Sequence, residues 1–159
     1  MRIHQSAARP RRLVACAWVI GLALSAVSTT GAQSLSVSGD PAALKITTAA
    51  AGSPPNSAVN SVTTYTVRAR RANQPRKITA QLDSGMPAGT TLTIDLAAVG
   101  SSTTAGPVDL TMTAQDLVVD ITNTTNRTGS ITYTFSATSA AGVIPSSNRV
   151  VTFTLVAFP

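Results

Sequence analysis

The chain has 159 residues, with twelve lysines and arginines, six aspartates and no glutamate. Its only histidine, cysteine and tryptophan (His4, Cys16 and Trp18) lie within the first 32 residues. The rest of the chain therefore lacks the side chains of a Ser-His-Asp triad, a Cys-His pair or the usual zinc sites. No spacing among the aspartates singles out a catalytic pair. We expect a protein that is not an enzyme and that carries no cofactor.

Residues 1–32 have the pattern of a secretory signal peptide. Four arginines and no acidic residue precede an apolar run from Leu13 to Val27, and small residues follow up to Ala32. The run is shorter than the roughly 20 residues that a membrane-spanning helix needs. We therefore expect a secreted chain that is periplasmic, on the cell surface or extracellular, with no membrane span after cleavage.

Removal of the signal peptide changes the charge. The formal charge falls from +6 to +2, because four of the twelve cationic residues and none of the six aspartates lie in residues 1–32. The basic character of the whole sequence is thus mainly a targeting feature, and nucleic acid is not an expected partner. Residues 33–159 are the right length for a single domain, which must be stabilised by core burial because it has no disulfide.

Short alternating segments follow one another along residues 33–159. Strands are expected within 33–40, around Leu44 and Ile46, and at 62–69, 78–82, 92–96 and 108–112. Loops rich in Gly, Pro, Ser and Asn separate these segments. Residues 114–121 fit either a strand or one helical turn.

The clearest pattern lies in residues 130–156. Ile131, Tyr133 and Phe135 alternate with polar residues, and the same alternation returns after a Gly- and Pro-containing break. This pattern predicts two antiparallel strands joined by a loop. We expect their inward side chains to form the centre of the core: Ile131, Tyr133, Phe135, Val151, Phe153 and Leu155. With seven or eight short strands in all, the sequence predicts an all-β fold, an antiparallel immunoglobulin-like β-sandwich.

A cluster of cations lies around the expected turn at residues 72–75. It comprises Arg68, Arg70, Arg71, Arg76 and Lys77. One interpretation is a patch that binds an anionic surface polymer, such as a polysaccharide, or a lipid headgroup. The other is a solvated hairpin whose charge protects an exposed sheet edge.

The segment at the start of the expected mature chain is a candidate donor strand. Leu35, Val37 and Gly39 alternate with serines before the Asp40-Pro41 break. Such a strand can pair with the sheet edge of a neighbouring copy or a related subunit, with its alternate side chains filling pockets.

Two stretches resemble bacterial surface proteins. The end of the chain, S-I-T-Y-T-F-S-A through R-V-V-T-F-T-L-V, is similar to the last hairpin of bacterial immunoglobulin-like modules. L-S-V-S-G-D-P, followed by Y-T-V-R-A-R-R-A-N-Q-P-R-K-I-T-A-Q-L, resembles the cysteine-free major subunits of alpha-type chaperone–usher fimbriae. The resemblance implies a structural or adhesive, pilin-like subunit that assembles by N-terminal strand donation. The alternative is a monomeric immunoglobulin-like module that binds an anionic ligand.

Overall fold

A computed structural model describes residues 33–50, 53–70 and 74–159. The predicted signal peptide at 1–32 lies outside the described residues. The described residues form nine strands and one 3-10 turn, so the prediction of an all-β fold is confirmed for this part of the chain. The strands are β1 (Gln33–Val37), β2 (Ala58–Ala69), β3 (Arg76–Leu82), β4 (Thr90–Leu96), β5 (Thr103–Thr104), β6 (Val108–Asp109), β7 (Gln115–Ile121), β8 (Thr124–Ala137) and β9 (Val151–Ala157); the turn is Ser139–Ala141.

The strands form two antiparallel sheets. The first has the order β1-β2-β8-β4-β6, and the second has the order β5-β7-β3-β9. Along the strands, apolar residues alternate with polar ones. The apolar faces of the two sheets pack together in one hydrophobic core, and the polar residues lie on the outer faces. The side chains buried most completely are Tyr65, Ile78, Ile94, Leu96, Leu117, Ile121 and Ile131.

The predicted pairing at the end of the chain is wrong. β8 pairs with β2 and β4 in one sheet, whereas β9 pairs with β3 in the other. Residues 138–150 therefore connect two sheets instead of closing a hairpin. Alternation specifies which face of a strand is buried, but it does not identify the partner strand.

The predicted core residues are only partly central. Ile131 and Tyr133 are buried, whereas Phe135 and the inward side chains of β9 are half-buried against the margin of the core. These β9 side chains lie on an edge strand, which has a neighbour on one side only within the described residues.

Three other segments differ from the predictions or resolve them. The segment around Leu44 and Ile46 is not a strand, because its backbone pairs with neither sheet among the described residues. The strand expected at 108–112 is limited to the two residues of β6, and Met112 is exposed. The ambiguous segment at 114–121 is strand β7.

Tyr65 joins three strands of the larger sheet. It lies opposite Gly129 of β8, and its hydroxyl donates a 2.5 Å hydrogen bond to the carbonyl of Ala97, just after β4. A Cβ atom at Gly129 would lie 2.6 Å from Tyr65 Cε1 and 2.9 Å from the Ala97 oxygen. The glycine is therefore required because the aromatic ring occupies the space that any side chain would need.

We predict that Gly129→Ala destabilises the protein by about 1–3 kcal/mol, the usual effect of overpacking a core. Urea unfolding followed by circular dichroism measures the change. The matched control is Gly85→Ala, since a Cβ atom at Gly85 meets no atom within 4 Å. Equal stability of the two variants would contradict this account of the Tyr65 contact.

Candidate functional site

The candidate donor strand β1 lies at an edge of the larger sheet. It pairs antiparallel with β2, from Gln33 opposite Ala69 to Val37 opposite Tyr65. Of its apolar side chains, Leu35 is half-buried against the core, and Val37 is 36% exposed. β1 therefore covers one side of β2 while it adds little to the core itself.

Ser38 forms hydrogen bonds that hold the end of β1 against β2. Its amide donates a 2.8 Å bond to the Thr64 carbonyl, and its hydroxyl accepts a 2.9 Å bond from the Thr64 amide. Gly39 follows with φ of 59°, a conformation that glycine adopts at no steric cost, and the chain leaves the sheet there. Gly39 thus serves to turn the chain and does not fill a pocket.

Residues 38–57 connect β1 to β2 without a strand in their described part. Most of the backbone bonds described within this segment are local, such as Ser53 to Ala50 and Asn56 to Thr48. Leu44 is half-buried against the core, whereas most neighbouring side chains are exposed. We refer to residues 38–57 as the β1 linker.

A cavity of about 1150 Å³ lies beneath the β1 linker. Linker residues 40–50 and residues 141–142 and 144–149, which follow β8, form part of its wall, and side chains of the strands contribute apolar surface. The apolar lining includes Leu44, Met86, Leu92, Tyr133, Phe135 and Val151. The β1 linker therefore covers the sheets loosely and leaves apolar surface behind it.

Both tyrosines of the chain have perturbed hydroxyls. Burial raises the pKa of Tyr65 to about 12. Burial also raises the pKa of Tyr133 to about 12, with a further contribution from the negative charge of Asp40 at the cavity. Each ring is therefore held in an environment that disfavours the phenolate.

The structure separates the predicted basic cluster into two parts. Arg68 and Arg70 lie on and just after β2 in the larger sheet, whereas Arg76 and Lys77 begin β3 in the smaller sheet. The expected hairpin is therefore wrong, because the chain passes between the sheets at this turn. Arg71 lies outside the described residues.

Lys77 already contacts an acidic and an aromatic side chain of the same chain. Its Nζ atom lies 2.9 Å from both carboxylate oxygens of Asp116 and 5.9 Å from the ring centre of Phe158. By contrast, Arg68 and Arg70 form no salt bridge with another described residue. The Nε atom of Arg76 is buried and has no hydrogen-bond partner in the described part of the chain. Arg68 and Arg70 are thus the better placed cations for an external anion.

The described residues contain no group of three or more metal-ligating side chains, and none of their helices is long and apolar enough to cross a membrane. Comparisons with family models, with curated proteins and with solved structures give no match.

Sequence reasoning missed the cavity and the first half of the β1 linker that covers it, although it predicted a loop from residue 49 onward. The apolar positions Leu44 and Ile46 predict a strand. In the structure, a coil that lies over the sheets partly buries both side chains without forming a strand. The run rich in Ala, Gly, Ser and Pro after residue 48 correctly predicts the second half of the linker, since such residues favour loops.

We predict that the folded protein resists tyrosine ionisation. Both folded pKa values are raised to about 12 from an unfolded value of about 10. Ionisation of these hydroxyls therefore lowers the free energy of unfolding. The protein has this contribution to its stability in full below pH 10 and loses it as the pH rises toward 12. Tyrosinate absorbance should therefore be low in the folded protein at pH 11 and high in urea at the same pH. Equal absorbance in both states would contradict the burial of the two hydroxyls.

Proposed function

We propose that the chain is a secreted, non-enzymatic structural or adhesive surface protein whose copies associate by donation of β1. The observation that carries the proposal is the attachment of β1, which pairs with one strand at a sheet edge and leads into the β1 linker. We also assign the two sheets to an immunoglobulin-like sandwich. The likeness of residues 35–41 and 65–82 to alpha-type chaperone–usher subunits supports a pilin-like role.

The energetics of β1 favour exchange. Ordering each residue costs about 1–2 kcal/mol, whereas each ladder hydrogen bond contributes about 0.5–1.5 kcal/mol. Leu35 is half-buried and Val37 is partly exposed, so apolar burial adds little. Docking of β1 on its own β2 therefore has a small net free energy, and the same pairing with another copy recovers the same contacts.

The β1 linker is long enough to let β1 extend to a neighbouring copy. A flexible chain of twenty residues has a root-mean-square span of about 25 Å. Release of the linker exposes the apolar lining of the cavity, including Phe135 and Val151. Because this exposure is unfavourable, release is linked to capture by a neighbour that covers the same surface.

We predict that the exported protein forms filaments or ladders that disappear when residues 33–41 are deleted. Size-exclusion chromatography and negative-stain microscopy distinguish these assemblies from monomers. A monomer both with and without this segment would refute strand donation.

A disulfide that locks β1 onto its own β2 gives a reversible version of the same test. Ser36 and Thr66 are partners in the β1–β2 register, so the double substitution Ser36→Cys and Thr66→Cys brings two thiols within bonding range. We expect the oxidised, internally crosslinked protein to form no filaments or ladders and to form them after reduction. Ser36→Cys alone is the control for the introduced thiol. Filaments or ladders of the fully crosslinked protein would contradict donation of β1.

The alternative function is binding of an anionic surface polymer by a monomer. It is favoured by Arg68 and Arg70, which lack a salt-bridge partner among the described residues. We predict that Arg68→Ser with Arg70→Ser weakens binding to a sulfated glycan at low salt, as measured by titration calorimetry. Lys45→Ser, which removes an exposed cation outside the cluster, is the control for charge. Unchanged affinity in the double variant would exclude the patch.

A further inference from the structure

The unpaired edge of β9 is a second interaction surface. β9 is the last strand of the smaller sheet and pairs with β3 alone among the described residues. The other terminal strands are shorter: β5 and β6 have two residues each, and β1 has five. A seven-residue strand with an open edge is therefore the main site where further backbone pairing can occur.

The composition of β9 does not protect this edge. Val151–Ala157 reads V-T-F-T-L-V-A, with no charge and no proline, and its pairing with β3 runs continuously without a bulge. Natural edge strands usually carry lysine, proline or a bulge that discourages pairing with another chain. β9 has none of these features, which indicates that its edge is paired in the assembled protein.

The hydrogen bonds that flank β9 show which backbone groups point outward. Asp83 donates to the Val150 carbonyl at 3.0 Å, and Phe158 donates to the Pro75 carbonyl at 2.9 Å. Residues of an antiparallel strand bond alternately to one side and then the other. The even-numbered residues of β9 therefore face β3. Val151, Phe153, Leu155 and Ala157 present their amides and carbonyls at the open edge.

We propose that two copies of this chain pair through β9 in an antiparallel, two-fold symmetric dimer centred on Thr154. This register pairs all seven residues and places Phe153 opposite Leu155 of the second copy. The backbone amides and carbonyls of both residues point toward the other copy and can form hydrogen bonds with it. Residues directly opposite in an antiparallel pair lie on the same face. The half-buried rows of the two copies thus cover each other, which completes the burial that β9 lacks in the monomer.

Charge favours a second copy in this orientation. The interface strand is neutral, so two identical edges meet without repulsion. Arg76 and Lys77 lie beside the Ala157 end of β9, opposite Ala157 and Val156 in the β3 register. Antiparallel pairing places the two basic clusters at opposite ends of the interface, whereas parallel pairing would bring them together. A two-fold contact of this kind is also closed and does not by itself extend into a fibre.

The two-fold axis allows a charge-swap test. Thr154 is exposed, and in the dimer it faces Thr154 of the second copy in a close, non-hydrogen-bonded pair. We expect the purified protein to be a dimer by sedimentation velocity, and we expect Thr154→Lys or Thr154→Asp alone to weaken dimerisation by about tenfold or more. An equimolar mixture of the two variants should dimerise again, because the opposite charges then face each other.

Gln81→Lys is the matched control. Gln81 is an exposed residue of the neighbouring strand β3, so this substitution adds the same charge away from the axis and should leave the dimer intact. Hydrogen exchange provides a second measurement, in which the Phe153 and Leu155 amides are protected in the dimer and exchange fast in the Thr154→Lys variant. A monomeric wild-type protein, or a dimer that both Thr154 variants retain, would overturn the proposal.

The β9 dimer is separable from strand donation. It should persist in the protein whose β1 is crosslinked to β2, because the edge of β9 belongs to the other sheet. Conversely, the Thr154 variants should still exchange β1. Loss of the dimer on crosslinking β1 would show that β1, and not β9, holds the copies together.

Discussion

The contact between Tyr65 and Gly129 sets the register of the larger sheet. The ring lies over the one position of β8 that carries no side chain, and the hydroxyl reaches the backbone just after β4. A slip of one residue between β2 and β8 would place a side chain under the ring and turn the inward residues of β2 toward solvent. β1 follows the same register, because Val37 pairs with Tyr65 on its other side.

The first and last strands of the described residues are less completely buried than this centre. β1 and β9 are edge strands in different sheets, and both have inward side chains that are only half-buried. They differ in the way they can associate. In the proposed exchange, β1, which precedes the β1 linker, leaves β2, whereas β9 stays paired with β3 along its full length and gains a second partner in the proposed dimer. The proposed exchange and the proposed dimer thus use edge strands of different sheets.

The sequence predicts local elements better than their partners. Alternation alone locates β3, β4 and β9, because each has one buried face and one polar face. It does not show that β8 and β9 lie in different sheets, since the partner of a strand depends on contacts between residues far apart in sequence. The same limit explains the wrong strand around Leu44, where a coil buries the apolar side chains. Among the candidate site residues, Lys77 is paired with Asp116, a contact between residues of β3 and β7 that no local spacing predicts.

The strand order has a kinetic consequence. Tyr65 pairs with Gly129 and Ile78 pairs with Leu155, so each sheet depends on a ladder between residues that are far apart in the chain. The entropy of closing such long loops must be lost before the core forms, and all-β domains with this kind of topology fold in milliseconds to seconds. The smaller sheet cannot be completed until β9 has joined β3. Until that strand arrives, one edge of β3 stays open to pairing with other chains.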